Sequence, residues 1–177
     1  MTRTLPDATL NQATSFQLSS PEIEAGGTIP KSFEFNGFGC SGENKSPALQ
    51  WSGAPKGTRS FAVTVYDPDA PSGSGWWHWM VINIPADVNE LASNAGAVGG
   101  ANLPKGASQA RIDYGVAGWG GVCPPQGDKP HRYIFTVYAL KVDNLDVPAD
   151  ATAALTGFMI NGNSLGQASF TARYGRK

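Results

Sequence analysis

Three stretches of the chain carry the clearest alternation of apolar and polar positions. From Ser60 to Tyr66, Phe61, Val63 and Val65 fall on one face at a period of two, which predicts a strand with one buried side. Asp67-Pro68 ends it, because proline cannot donate to a strand ladder. A second strand is predicted from Trp77 to Ile84, stopped by Pro85. If these two pair antiparallel, Asp67 and His78 lie at the same end of the sheet. The third stretch is His131 to Leu140, with His131, Tyr133, Phe135 and Val137 on one face. It follows "CPPQGDKP", a loop stiffened by three prolines.

Weaker patterns fill the rest. "FQLSS" and "SFEFNGFG" predict short strands separated by "PEIEAGGTIP", and "CSGENKSPALQW" reads as a turn-rich loop. Residues 91–121 hold eight glycines and keep neither a helical nor a strand period. Long stretches of this kind in compact domains tend to be functional or mobile. Ala151–Ile160 is the best helix candidate. Asp150 is placed to cap it, and Ala154, Leu155, Phe158 and Met159 form the stripe expected to face the core. A glycine-interrupted segment, "SLGQASFTARYGRK", closes the chain. Residues 1–14 are polar and expected to form a flexible arm, leaving 15–177 as a single domain.

Composition sharpens this picture. Gly 22 and Pro 13 make up about a fifth of the 177 residues, which means many turns, few long helices and a mainly β domain. The formal net charge is -1 and no basic stripe occurs, which argues against binding a nucleic acid backbone. The start, "MTRTLPDATLNQATSF", lacks the apolar core of a signal peptide, and no stretch approaches the roughly 20 apolar residues that span a bilayer. A cytoplasmic protein without integral membrane association is expected. Cys40 and Cys123 are too few for a disulfide framework; they are two buried thiols, one disulfide or one reactive thiol.

The candidate chemistry gathers at the mouths of two Pro-rich loops. "DPDAPSGSGWWHWMVINIP" brings Asp67, Asp69, Pro71, Trp76 and His78 together, and the second loop opens onto His131. Proline lowers the entropy cost of holding a loop in one shape, and glycine lets backbone N–H groups approach a ligand. An imidazole pair with exposed backbone donors favours an anion, phosphate being the natural candidate. The aspartates oppose that unless they fix an imidazole by hydrogen bonding or meet the amine of a zwitterion such as phosphoethanolamine. Taken singly, an Asp-Pro-Asp is usually a turn, a strand-end histidine is usually structural, and tryptophans usually pack. The repetition of one pattern at two loops tilts the balance towards a site.

The motifs "DPDAP…WxHW…NIP" at Asp67–Pro85 and "PPxGxxxHRYxFxxYAL" at Pro124–Leu140 closely resemble the phosphatidylethanolamine-binding protein family, which includes Raf kinase inhibitor proteins. "NGFGCSGENKSPALQW" is similar to its bacterial and archaeal branch. The likeness covers roughly residues 16–174. It implies a Greek-key antiparallel β-sandwich with a few short peripheral helices and a small anion pocket at one end. Carried over by motif, that pocket uses Asp67, Asp69, Trp76, His78, His131 and Tyr133, with Pro71, Cys123, Pro124 and Pro125 shaping its rim. Val122 departs from the Gly-Pro that many relatives carry before the Pro-Pro pair. The long C-terminal extension of eukaryotic relatives is missing, so control of a Raf-type kinase is not carried over. A homodimer is expected from the bacterial branch.

The first functional reading is a binding module for phosphorylated or otherwise anionic small molecules, acting alone or by modulating a kinase or other protein partner. No cofactor is expected. The alternative is a hydrolase or acyl-transfer enzyme in which Asp67, His78 and His131 do acid–base work and Cys123 is the nucleophile. A metal site of two His and two Asp is a third reading, although the spacings match no standard metal motif.

Overall fold

A computed structural model of the chain describes residues 15–177, so the predicted arm at 1–14 lies outside the described residues. The strands are β1 (Gln17–Ser19), β2 (Asn36–Gly37), β3 (Cys40–Ser41), β4 (Leu49–Ser52), β5 (Ser60–Asp67), β6 (Trp76–Pro85), β7 (Glu90–Leu91), β8 (Ser108–Gln109), β9 (His131–Leu140) and β10 (Ser164–Tyr174), with one helix, α1 (Ala153–Gly162). A five-stranded antiparallel sheet runs in the order β10-β9-β5-β6-β8, and a three-stranded one in the order β1-β4-β7. Together they make the expected mainly β sandwich. Among the described residues, the few peripheral helices reduce to α1 and a single 3-10 turn at Lys31–Phe33.

Both faces of the large sheet are covered. One packs Phe61, Val63, Val65, Trp79, Phe135 and Phe170 towards Leu18, Leu49 and Trp51 of the small sheet. Phe135 and Phe170, paired across β9 and β10, stack with ring centres 4.8 Å apart. The other face packs Ala62, Met80, Ile82, Tyr138 and Leu140 against Ala153 and Ile160 of α1 and against the Ala110–Ile112 and Leu145 segments. This explains why the alternation in β5 is weaker in burial than in sequence. Phe61, Val63 and Val65 do share a face, but Ala62 and Thr64 on the other side are buried as well. A central strand covered on both faces reads as a near-continuous buried run.

β9 has the predicted bounds, and β6 is one residue longer than predicted at each end. Four expectations are corrected. "SFEFNGFG" is not one strand: after the 3-10 turn comes a two-rung hairpin whose tip, Phe38-Gly39, has φ of 50° and 84°, turning the chain back at once. The turn-rich loop after Cys40 contains both β3 and β4. The helix is capped by Thr152, whose Oγ1 accepts a hydrogen bond from Leu155 N at 3.1 Å, and not by Asp150. Its buried face is Ala153, Thr156, Gly157 and Ile160, while Leu155 and Phe158 face outward. The inner face thus mixes small residues with Ile160, and Leu155 and Phe158 are left outside. The closing segment is β10, the longest strand, with Ala168, Phe170, Ala172 and Tyr174 turned inward.

Cys40 and Cys123 form a disulfide. It ties the β2–β3 hairpin to the loop before β9 across a sequence separation of 83 residues. Two free thiols and one reactive thiol are thereby set aside for this state. Cross-links of this kind stabilise by about 2–4 kcal/mol, chiefly through the unfolded chain. Replacing both cysteines by alanine is expected to cost about that much in urea unfolding, and unfolded wild-type protein is expected to yield no free thiol without reductant. An equally stable double variant, with two titratable thiols in the wild type, contradicts the cross-link.

Candidate ligand-binding site

The site forms where three neighbouring strands of the large sheet begin or end. In the ladder Asp67, the last residue of β5, pairs with Trp76, the first of β6, and Tyr66 pairs with Ile134 near the start of β9. Asp67, His78 and His131 are thereby placed at one end of the sheet by strand register alone. The loop between Asp67 and Trp76 is held internally. Asp67 Oδ1 accepts from Asp69 N at 2.8 Å, Tyr66 Oη donates to Ser74 O at 2.8 Å, and Ser72 Oγ donates to Gly75 O. Gly75 has φ of 71°, and a Cβ there would run into the Tyr66 hydroxyl, so glycine is required at this turn.

The two histidines are held in opposite ways. His78 lies 2.7 Å through Nδ1 from the carbonyl of Gly120. A carbonyl only accepts, so Nδ1 carries the proton and Nε2 keeps its lone pair. Burial lowers the pKa of His78, which favours the neutral ring. Gly120 permits this contact, because a Cβ on it would meet the ring of Tyr114. His131 is also buried, but Nδ1 stands 2.7 Å from Asp67 Oδ2 and Nε2 stands 2.9 Å from Asp128 Oδ2. Burial works against its charge, yet hydrogen bonds to Asp67 and Asp128 outweigh it and raise the pKa. The two carboxylates therefore favour the imidazolium form of His131, and burial favours the neutral form of His78.

Tyr133 stands between them, its ring centre 5.3 Å from that of His78 and 6.5 Å from that of His131. Burial pushes its phenol well above the ordinary value, so the hydroxyl keeps its proton. Above this floor lies a cavity of about 250 Å³ walled by Phe38, Pro71, Trp76, Tyr114, Cys123, Pro124 and Pro125. Among the described residues four buried donors have no hydrogen-bond partner: Trp51 Nε1 and Trp119 Nε1 in the core, and Tyr133 Oη and Trp76 Nε1 on residues that line this cavity. A buried donor left unpaired costs about 1–3 kcal/mol.

Of the ten residues singled out from sequence, nine line this one cavity. Asp69 does not. Its carboxylate takes the Arg132 guanidinium at 2.8 and 3.0 Å and the Arg132 backbone N–H at 2.8 Å. Those hydrogen bonds lower its pKa to about 2. It fastens the first loop to the start of β9, outside this cavity. Sequence reasoning missed Phe38, Tyr114 and Asp128. Tyr114 comes from the aperiodic stretch 91–121, where no periodicity pointed to it. Asp128 was legible as an acid three residues before His131 in a Pro-bounded loop. The described residues hold no group of three or more His, Cys, Asp or Glu suited to a metal ion.

A β-sandwich with a small aromatic-walled pocket at one end, floored by imidazoles and a carboxylate, defines a ligand-binding module. Residues 19–175 match the phosphatidylethanolamine-binding protein family, and the chain belongs to it. YbcL of Escherichia coli is 55% identical over 163 residues, covering 92% of this chain and 89% of YbcL. The crystal structure of YbcL superposes with a TM-score of 0.90 over 92% of this chain and 99% of that one. YbhB, also of Escherichia coli, is 47% identical over 158 residues, covering 89% of this chain and 99% of YbhB. A Mycobacterium tuberculosis relative named as a lipoprotein, LppC, is 32% identical over 177 residues, 96% of this chain and 81% of its own. The chain thus sits in the bacterial branch that its motifs resemble.

The unequal histidines give a signed pH dependence. His131 has a raised pKa in the folded state, so its contribution to stability is complete below the unfolded value of about 6.5 and is lost as pH rises through the folded pKa. The stability gap between wild type and His131→Gln, measured by urea unfolding from about pH 5.5 upwards, is expected to narrow as pH rises. A gap that is constant with pH contradicts the imidazolium assignment.

Proposed function

We propose that the protein is a binding module that takes a small phosphorylated or otherwise anionic group into the cavity between Tyr133, Trp76 and His78. The observation that carries this reading is the pair of buried, unpartnered donors, Tyr133 Oη and Trp76 Nε1, on residues that line a cavity of head-group size. The aromatic wall suits the organic part of such a ligand, and Trp76 and Tyr114 offer ring faces to a cationic head. The catalytic alternative loses its nucleophile, because the sulfur of Cys123 is bonded to that of Cys40.

The finer expectations stand on unequal support. Modulation of a kinase or another partner rests on the family likeness alone. A homodimer is supported by the exposed apolar pair Leu155 and Phe158 on α1. Among the described residues no helix is long and apolar enough to cross a membrane. The disulfide weighs against the expected cytoplasmic placement and supports an oxidising compartment, since cytosolic thiols are kept reduced.

Tyr133→Phe separates binding from folding. Its hydroxyl has no partner in the fold, so the variant is expected to be at least as stable as wild type. Hydrogen bonds to a charged group contribute about 1.5–3 kcal/mol, so affinity for phosphoethanolamine or inorganic phosphate is expected to fall at least about tenfold in calorimetric titration. Unchanged affinity for both ligands, or no binding by the wild type, overturns the proposal.

A further inference from the structure

Both ring nitrogens of His131 are already engaged, although His131 lines the cavity. The two carboxylates that engage it are not equivalent. Asp67 is buried at the end of β5 and fixed through both oxygens, to His131 and to the N–H of Asp69. Asp128 has a side chain 41% exposed, and its only side-chain hydrogen bond among the described residues is the one to His131 Nε2. Its backbone lies in a turn closed by Asp128 N on Pro125 O at 3.3 Å, with Gly127 at φ of 86°. One acid belongs to the sheet framework. The other hangs from a loop and reaches in.

That loop also carries the cavity rim. Cys123, Pro124 and Pro125 line the opening, and three residues further on Asp128 closes on His131. His131 also borders a shallow outer depression shared with Asp128, Lys129, Arg132 and Arg173. The same depression includes Asp69, which holds Arg132, so Lys129 and Arg173 are the basic side chains left beside the Asp128 contact with His131 Nε2. A free anion arriving there finds that position taken by a carboxylate of the protein itself.

Resting on the anion-binding reading above, we propose that Asp128 is an internal competitor: its carboxylate occupies the second N–H of His131, and an incoming anion gains that donor only by displacing it. Asp128 is then a specificity-determining residue of the site. It weakens all simple anions and favours ligands whose remaining groups hold the cavity wall strongly enough to open the contact. Displacement leaves the Asp67–His131 contact in place, so the floor of the site survives ligand entry. It frees the Asp128 end of the rim loop, while the Cys40–Cys123 bond keeps the other end anchored.

The test is a titration with inorganic phosphate of wild type, Asp128→Asn and Asp128→Ala, followed through the ring signals of His78 and His131. Alanine removes the acceptor, and asparagine keeps a neutral one. The expected order of affinity is alanine first, asparagine second and wild type last, spanning about three- to tenfold, the range of a partly exposed charged contact. The gain is expected to persist at about 1 M salt, where long-range fields are screened within about 3 Å and only a direct competitor still acts. If wild type binds phosphate but both variants bind it equally or more weakly, or the gain vanishes in salt, Asp128 is no competitor and the anion-binding reading stands. If no protein of the three binds phosphate, both fall together.

Discussion

The site depends on the buried contact between His131 and Asp67. It joins the first residue of β9 to the last residue of β5, two strands paired along most of their length. Removing one member of such a buried pair leaves an uncompensated charge and costs about 3–5 kcal/mol. The same contact orients the imidazole that Asp128 reaches from the rim loop, and Asp67 Oδ1 also fixes the turn at Asp69. Asp69 in turn holds Arg132, the neighbour of His131, from the outside. Two loops far apart in sequence are therefore clasped together at one end of the sheet by a short chain of charge-assisted hydrogen bonds.

Around this clasp the protein builds two imidazoles of different character. His78 is turned by a backbone carbonyl and buried without a carboxylate on its ring, so it stays neutral with a free lone pair. His131 is bracketed by acids that favour its charged form. Tyr133, protonated because it is buried, lies between them with its hydroxyl unpaired. The arrangement supplies an acceptor, a donor and a shielded cation within one small cavity. The wall adds aromatic surface from strands, the β2–β3 hairpin and the aperiodic segment, and the disulfide holds hairpin and rim loop together.

Much of this was legible in the sequence because the site sits on regular elements. Asp67, His78 and His131 are placed at one end by strand ends, and alternation puts Tyr133 on the face of His131; His78 joins that face through the register shift between Val65 and Tyr66 in the β5–β6 ladder, which a period of two does not reveal. Asp69 shows the limit of motif reasoning. Its spacing is right, but the turn that Asp67 caps directs its side chain to Arg132 on the outer surface. Tyr114 and Phe38 were hidden for another reason. They reach the cavity from an irregular segment and a two-rung hairpin, whose paths are set by tertiary hydrogen bonds such as Trp119 N to Gly96 O and not by local pattern. The helix was legible as an element, but its buried face was not. Apolar residues lie on both sides of it, so the pattern alone did not say which side faces the sheet.

The clasp and the pocket depend on the protonation of two rings, and nitrogen-15 NMR of the imidazoles reads this directly. At neutral pH the account predicts that His131 carries protons on both nitrogens and stays charged above its ordinary range, while His78 is neutral with its proton on Nδ1 and takes up a second proton only in acid. With only two histidines in the chain, single variants assign both signals. Two rings that titrate together near the ordinary histidine value, or a neutral His131 at pH 7, would contradict the clasp and the pocket chemistry built on it.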